Sequence, residues 1–403
     1  MKISIVFIVT LFCFQHLYTN ESSDRAVLVR NTLKEIANVK GKLHLELIRV
    51  WGGDIEEDEN KFFNNPSSIA IDGNKWVYIC DRHNHCIKVF DYSGSYLRTI
   101  GRKGQGPGDL YGPKQIVITP ESDLLVSEWG GLRFQWFSSE GKSKRILKYK
   151  STVDWMSVTS RNSIAIYDSS RTFLHKKLIV IMEKDGKVLR EFGKYHDKAK
   201  NYIAAEKLKF SIDKSDNIYA ANMGTPVIRK YTPEGKLQLV ITFETPFEIP
   251  VEITLNSKGD EIDRKEEVYN NEGVKIINNN NGISIQSDKG KKREKYGICS
   301  ALGTDSQNRI YVVTRRRILT EVEESGTYVS GNLSWLNRDK VNYDIVDNID
   351  VNQLLVFDSI GKIIALAQMT TFCDDLYIHN DRIFVIDGFL NQRIMEYGVR
   401  FEK

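Results

Sequence analysis

The sequence predicts an all-β fold, a six-bladed β-propeller closed by pairing an N-terminal strand with the last blade. Three observations carry it. A four-strand unit returns along the chain, clearest from Pro66 to Gly101. A turn ending in glycine marks each return, at spacings of 47, 45 and 49 residues. The last unit holds only three strands, while an unassigned alternating strand stands at the other end of the chain.

The chain opens with Lys2, an almost unbroken apolar run from Ile3 to Phe14, and the polar stretch Gln15 to Asp24. A basic start, an apolar segment too short to span a bilayer and a polar exit make up a secretory signal peptide, expected over residues 1–20. Cys13 would suggest a lipid-anchored surface form, but bulky Phe12 before it fits that signal less well. Residues 21–41 read as a linker, and 42–403 as a single domain. No later segment approaches the roughly 18 uncharged apolar residues of a membrane helix. A secreted or periplasmic protein with no membrane span after processing is therefore expected.

Hydrophobic residues at 41% and charged residues at 27% lie near globular averages, enough for a full core. The 57 basic and 53 acidic residues leave a net charge of +4, no field strong enough to argue for nucleic acid. A monomer is expected.

The clearest unit divides into Ser68 to Asp72, Trp76 to Cys80, Cys86 to Asp91 and Tyr96 to Ile100. These runs are rich in β-branched and aromatic residues and are separated by Gly, Asn, Asp or Ser. A large side chain four positions before a glycine marks the turn from third to fourth strand, ending at Gly94, Gly141, Gly186, Gly235 and Gly361. Glycine there supplies the positive φ of a tight turn. The first spacings suit propeller blades, whereas the last interval is 126 residues. Two polar insertions, at about 254–295 and 316–352, account for the excess and read as loops or hairpin extensions. Lys42 to Gly52 (KLHLELIRVWG) alternates, and Leu43 to Trp51 is expected to pair near Arg393 to Tyr397. Such pairing removes the open edges that invite aggregation.

The segment DRHNHCIKVFD (Asp81 to Asp91) resembles the NHL repeat, in which Asp, Asn and His precede a strand ending Phe-Asp. GRKGQGPGDL (Gly101 to Leu110), followed by Pro113, is similar to the interblade loop of bacterial secreted six-bladed propellers. The resemblance covers about residues 42–400 outside the insertions. It implies the propeller fold and leaves the ligand open. The NHL pattern usually has Arg after the second His, and this chain has Cys86.

In a propeller the loops joining second to third strands, and those joining blades, emerge on one face around the central channel, where recognition is built. The candidate binding residues on these loops are Arg82, His83, His85, Trp129, Arg133, Asn222, Arg315, Arg316, Asp387 and Phe389. His83 and His85 would suit metal ligation or acid-base work, against backbone bonding within the turn. Asp81, Glu128, Asp168 and Asp387 end second strands and would form a carboxylate ring for a hard cation such as calcium, against the capping of turns. The glycines of the 101–108 loop would wrap a phosphate. A strand rather than a helix follows them, which favours a tight crossing between blades. No cofactor is called for. The leading expectation is a non-enzymatic binding scaffold for a protein, peptide or glycan. The alternative is a metal-dependent lactonase- or lyase-like enzyme at the channel mouth. Cys80, Cys86, Cys299 and Cys373 allow three disulfide pairings or buried free thiols, with Cys299 to Cys373 the pairing that neighbouring first strands would favour.

Overall fold

A computed structural model of the chain describes residues 25–52, 58–194, 208–223, 225–245, 251–255, 261–266, 268–269, 275–279, 282–286, 299–317, 350–388 and 391–402. The expected signal peptide, Phe389 and the greater part of the second insertion lie outside these residues.

Alternating β-branched and aromatic runs, broken by turn residues, form six antiparallel units. Blade 1 comprises Pro66–Ile71, Val77–Asp81, Cys86–Phe90 and Tyr96–Ile100. Blade 2 comprises Pro113–Ile118, Leu124–Glu128, Arg133–Phe137 and Ser143–Lys148. Blade 3 comprises Trp155–Val158, Ile164–Tyr167, Lys177–Met182 and Val188–Lys194. Blade 4 comprises Leu208–Ile212, Ile218–Asn222, Val227–Tyr231 and Leu237–Phe243. Blade 5 comprises Cys299–Thr304, Ile310–Arg315, Asn352–Phe357 and Ile363–Met369. Blade 6 comprises Asp375–His379, Arg382–Asp387 and Arg393–Glu402, completed by Gly41–Gly52. The first strand of each blade lies against the first strand of the next, and that of blade 6 returns to blade 1.

Burial follows from this stacking. The second and third strands of blades 1 and 2 are buried at every position, because neighbouring blades cover both faces. The outer Tyr96–Ile100 strand alternates between partly covered and exposed residues. The five predicted turn glycines all take positive φ, between 88° at Gly235 and 94° at Gly141. In blades 1 and 5 the hairpin between first and second strands is tied by an aspartate. Asp72 accepts from the amides of Asn74 and Trp76 and from the Tyr78 hydroxyl, and Asp305 accepts from those of Gln307, Arg309 and Tyr311.

The predicted closure is present. Leu43 pairs with Phe401, Val50 with Met395 and Trp51 with Ile394, antiparallel. The same strand also runs parallel to blade 5 at its start, through Gly41 to Ala365 and Lys42 to Leu366. Blades 5 and 6 thereby share an eight-stranded sheet.

The 21–41 segment, expected as a linker, is more than that. Val27–Asn31 adds a fifth strand to blade 4, parallel to Leu237–Phe243. Buried Asn31 donates to the Gly361 carbonyl at 2.9 Å and accepts from the Ile363 amide at 2.9 Å, crossing from blade 4 to blade 5. A short helix, Leu33–Ala37, follows with a Thr32–Glu35 capping box. The strap was concealed because its strand, VLVRN, pairs in parallel on an outer edge and lacks the alternating apolar signal.

Within the first insertion, Val251–Leu255 and Glu261–Glu266 form a hairpin, and Val268–Tyr269, Lys275–Asn279 and Gly282–Gln286 form a three-stranded sheet. Arg316 and Arg317 both pair with Asp350, closing the base of the second insertion.

Candidate functional site

The second strands end at the loop-bearing face, and in blades 1, 2, 3 and 6 a carboxylate at or just past that end fixes the adjoining loop. Asp81 accepts from the Asn64 amide at 2.8 Å and the Asn84 side chain at 2.8 Å. Burial raises its pKa, and these hydrogen bonds oppose the rise. Glu128 accepts from the Tyr111 amide at 2.8 Å, Arg133 at 2.7 Å and Gln135 at 2.7 Å. Asp168 caps the helix Ser169–His175 through the Arg171 amide and accepts from the Tyr149 and Ser151 hydroxyls. Asp387 accepts from Thr371 at 3.1 Å and Asn391 at 2.6 Å. These four carboxylates therefore hold loops, each within its own blade. Among the described residues no three His, Cys, Asp or Glu side chains converge as a metal ion would require.

Several candidate binding residues turn inward. Arg133 is 7% exposed and donates to Glu128 and to the carbonyls of Gln105 (2.5 Å) and Asp109 (2.9 Å), so it anchors the glycine-rich crossing to blade 2. Buried Asn222 accepts from Arg229 at 3.0 Å. Arg316 serves the base of the insertion, and Arg315 ends the second strand of blade 5 beside it. Cys299 and Cys373 are buried and unbridged, as are Cys80 and Cys86. Cys299 donates to the Thr225 carbonyl and Cys373 to that of Asp375, so the thiols are spent separately rather than joined.

The glycine-rich crossing binds an anion of its own. Asp109 takes the Gly106 amide at 3.1 Å and the Arg102 guanidinium at 3.0 Å, and this pairing with Arg102 lowers its pKa. A backbone carboxylate-holder of this kind occupies the place a phosphate would need.

His85 adopts a left-handed conformation with φ 59° and accepts the Gly112 amide on Nδ1 at 3.0 Å, so Nε2 bears its proton. Burial and the nearby Lys103 charge lower its pKa, which keeps that ring neutral. It packs beside Tyr111 with ring centroids 5.2 Å apart.

What remains exposed lies together at the seam of blades 1 and 2. Trp129 is 52% exposed, and the Arg82 guanidinium stands 5.2 Å from its ring centroid. His83 and Leu132 are exposed beside them in the same two loops, and Lys103 lies 6.0 Å from the Tyr111 ring. The latches beneath these tips, Asp81 and Glu128, hold an aromatic and cationic surface in place before anything binds it.

A second arrangement was missed by sequence reasoning. Near the start of the first strands, Lys114 of blade 2 pairs with Asp154 at the entry to blade 3 at 2.9 Å. Lys209 of blade 4 meets Asp375 of blade 6 at 3.4 Å and lies 4.7 Å from the Trp155 ring. The signal was a charged residue in the second position of the first strand, or just ahead of it, in three successive units.

These features define a class, a closed six-bladed propeller with latched loops on one face. Residues 55–294 match the DUF5128 family, described as a 6-bladed beta-propeller, and the chain belongs to it. It also resembles NHL-repeat proteins: it is 23% identical over 136 residues to Protein brain tumor of Drosophila melanogaster, covering 32% of this chain and 12% of that one. It is 25% identical over 114 residues to the human E3 ubiquitin-protein ligase NHLRC1, covering 28% and 29%. The chain thus matches less than a third of each relative's length. In fold it is similar to a DUF4221 family member from Bacteroides vulgatus, with TM-score 0.55 and 9% identity over 90% of this chain and 99% of that one. It is also similar to a Bacteroides fragilis protein provisionally described as exported, with TM-score 0.54 and 10% identity over 94% and 100%. Among the described residues no helix is long and apolar enough to cross a membrane.

Proposed function

We propose that the protein is an exported, non-enzymatic recognition module that binds a protein, peptide or glycan through the loop surface around Arg82 and Trp129. The observation that carries this reading is the half-exposed Trp129 ring with Arg82 stacked against it, on loops whose bases are latched by buried carboxylates. Aromatic and arginine side chains supply most hot spots of recognition surfaces, and a rigid base reduces the ordering cost of binding. Export rests on the N-terminal sequence pattern and agrees with the exported neighbour. The lyase-like alternative has no observation of its own, because the carboxylates it would use are already engaged by hydrogen-bond donors.

The test probes a glycan array and immobilised extracellular proteins with wild-type protein and with four variants. Trp129→Ala and Arg82→Ala should each weaken binding about tenfold or more, as removal of a contact of about 1.4 kcal/mol or more would. Tyr92→Ala and Lys236→Ala, on the opposite face, should leave it unchanged. Loss confined to the second pair would refute the assignment of the face.

A further inference from the structure

The six first strands enclose a cavity of about 290 Å³ at the centre of the ring, lined among others by Ser68, Gln115, Ser157, Ser211, Thr304 and Asp375. Several of these polar groups are spent on the ring itself. Ser68 Oγ accepts the Ile116 amide at 3.2 Å, and the Ser211 and Thr304 hydroxyls bond each other at 2.7 Å. Gln115 differs. It is 6% exposed, lines the cavity, and its side chain makes no hydrogen bond to any described residue. Asp375 Oδ1 accepts from the Leu376 amide at 2.8 Å and faces Lys209 at 3.4 Å, while Oδ2 has no donor among the described residues. Ser157 contributes a further hydroxyl with no partner there.

The polar atoms of Gln115 and Ser157 and Oδ2 of Asp375 open onto the cavity instead of onto protein partners, so they are available to hydrogen-bond a molecule held there. We propose that this channel is a binding site for a single neutral polyhydroxyl molecule of the monosaccharide class, held by Gln115, Ser157 and Asp375. The chemistry selects that class. Gln115 offers two donors and an acceptor, Ser157 one donor and acceptor sites, and Asp375 Oδ2 an acceptor, so the complement must both donate and accept, as adjacent hydroxyls do. The Lys209 and Asp375 charges already offset each other, so a charged molecule would be desolvated with no uncompensated partner. An aliphatic molecule would leave the Gln115 amide unpaired. The volume lies just under the roughly 300 Å³ lower bound of drug-sized ligand pockets, which limits the occupant to about one sugar ring. Trp155 lines the same cavity and offers a flat wall for the less polar face of a ring. This site is separate from the Trp129 surface, and neither depends on the other.

Glucose, galactose, N-acetylglucosamine and myo-inositol are titrated separately at millimolar concentration, by calorimetry and by thermal shift, with glycine, a zwitterion, as the ionic control. At least one of the four should give saturable one-to-one heat and raise the unfolding midpoint, and glycine should do neither. Gln115→Leu should abolish both effects and raise the midpoint of the ligand-free protein, since it removes an unpartnered amide. Trp129→Ala should leave both effects intact. Should Gln115→Leu fail to fold, Ser157→Ala takes its place and should weaken affinity about tenfold or more. The proposal is overturned if none of the four binds, if glycine alone binds, if binding survives Gln115→Leu, or if affinity is unchanged in Ser157→Ala.

Discussion

Replacing Trp51 by alanine tests the closure of the ring at its most concentrated contact. Trp51 is 2% exposed and sits in the N-terminal strand opposite Ile394. Its ring stacks on Phe384 of blade 6 at 5.8 Å and 17°, and reaches Phe90 of blade 1 at 6.5 Å. One side chain thus fills the seam where the chain's two ends meet the first blade. The indole nitrogen has no hydrogen-bond partner, so truncation removes ring packing and the contact with the Arg49 guanidinium, 5.2 Å from the ring centroid. A buried tryptophan removes about 200 Å² from water, and at about 25 cal/mol per Å² this gives about 5 kcal/mol. Large-to-small changes in cores cost about 3–5 kcal/mol, in agreement. Guanidinium unfolding followed by near-ultraviolet circular dichroism should show a loss of that size. Leu47→Ala, at a 53% exposed position of the same strand, should cost no more than about 0.5 kcal/mol. A Trp51→Ala loss below about 1 kcal/mol would show that the closing strand lies outside the cooperative core.

Other consequences are as direct. Arg133→Ala leaves Glu128 buried without its cation, releases the Gln105 carbonyl and leaves that of Asp109 to Gln135 alone, so it should cost about 3–5 kcal/mol and open the 101–112 crossing to proteolysis. Intact protection of that crossing in the variant would contradict the anchoring role. Burial and the Asp374 charge push Asp387 up to about 6, above its unfolded value of about 3.9. Its stabilising contribution is therefore fully present below about pH 4 and is lost as pH rises through about 6, by about 3 kcal/mol in all. The difference in stability between wild type and Asp387→Asn should change over that window, and a constant difference would refute the shift. All four described cysteines are buried and unbridged, and burial raises the pKa values of Cys80, Cys86 and Cys373. Alkylation should reach them only on unfolding and without reductant, and any thiol that labels only after reduction would be bridged.

The fold was legible because it rests on local rules repeated many times. A glycine at positive φ in each third-to-fourth turn, and β-branched runs of about five residues, are readable one unit at a time. The closing strand was legible for the same reason: three strands at the C-terminus and KLHLELIRVWG at the N-terminus complete one another by count. The Val27–Asn31 strap was not, since Asn31 earns its burial from carbonyls of two blades that sequence cannot place. Arg133 misled for a related reason. An arginine beside a loop reads as solvent-facing, yet here the glycine-rich crossing folds over it and offers two carbonyls that only the packed blades bring within reach.

The four second-strand carboxylates show how a repeated position acquires one meaning or another. A charged ring around a channel and a set of local loop latches both require acids at Asp81, Glu128, Asp168 and Asp387. What separates them is the geometry of the next turn. In blades 1, 2, 3 and 6 the chain turns there with amides and hydroxyls aimed back at the acid, which accepts them, whereas the second strand of blade 5 ends in Arg315. Blade 4 uses Asn222 for the same purpose, with Arg229 as its donor. In blade 4 an uncharged amide thus serves in the acid's place, so acceptance rather than charge suffices there. The latches in turn explain why recognition concentrates at the tips. With Asp81 and Glu128 fixing the loop bases, the side chains of Arg82, Trp129 and Leu132 meet at the surface above them, where their chemistry is available to a partner.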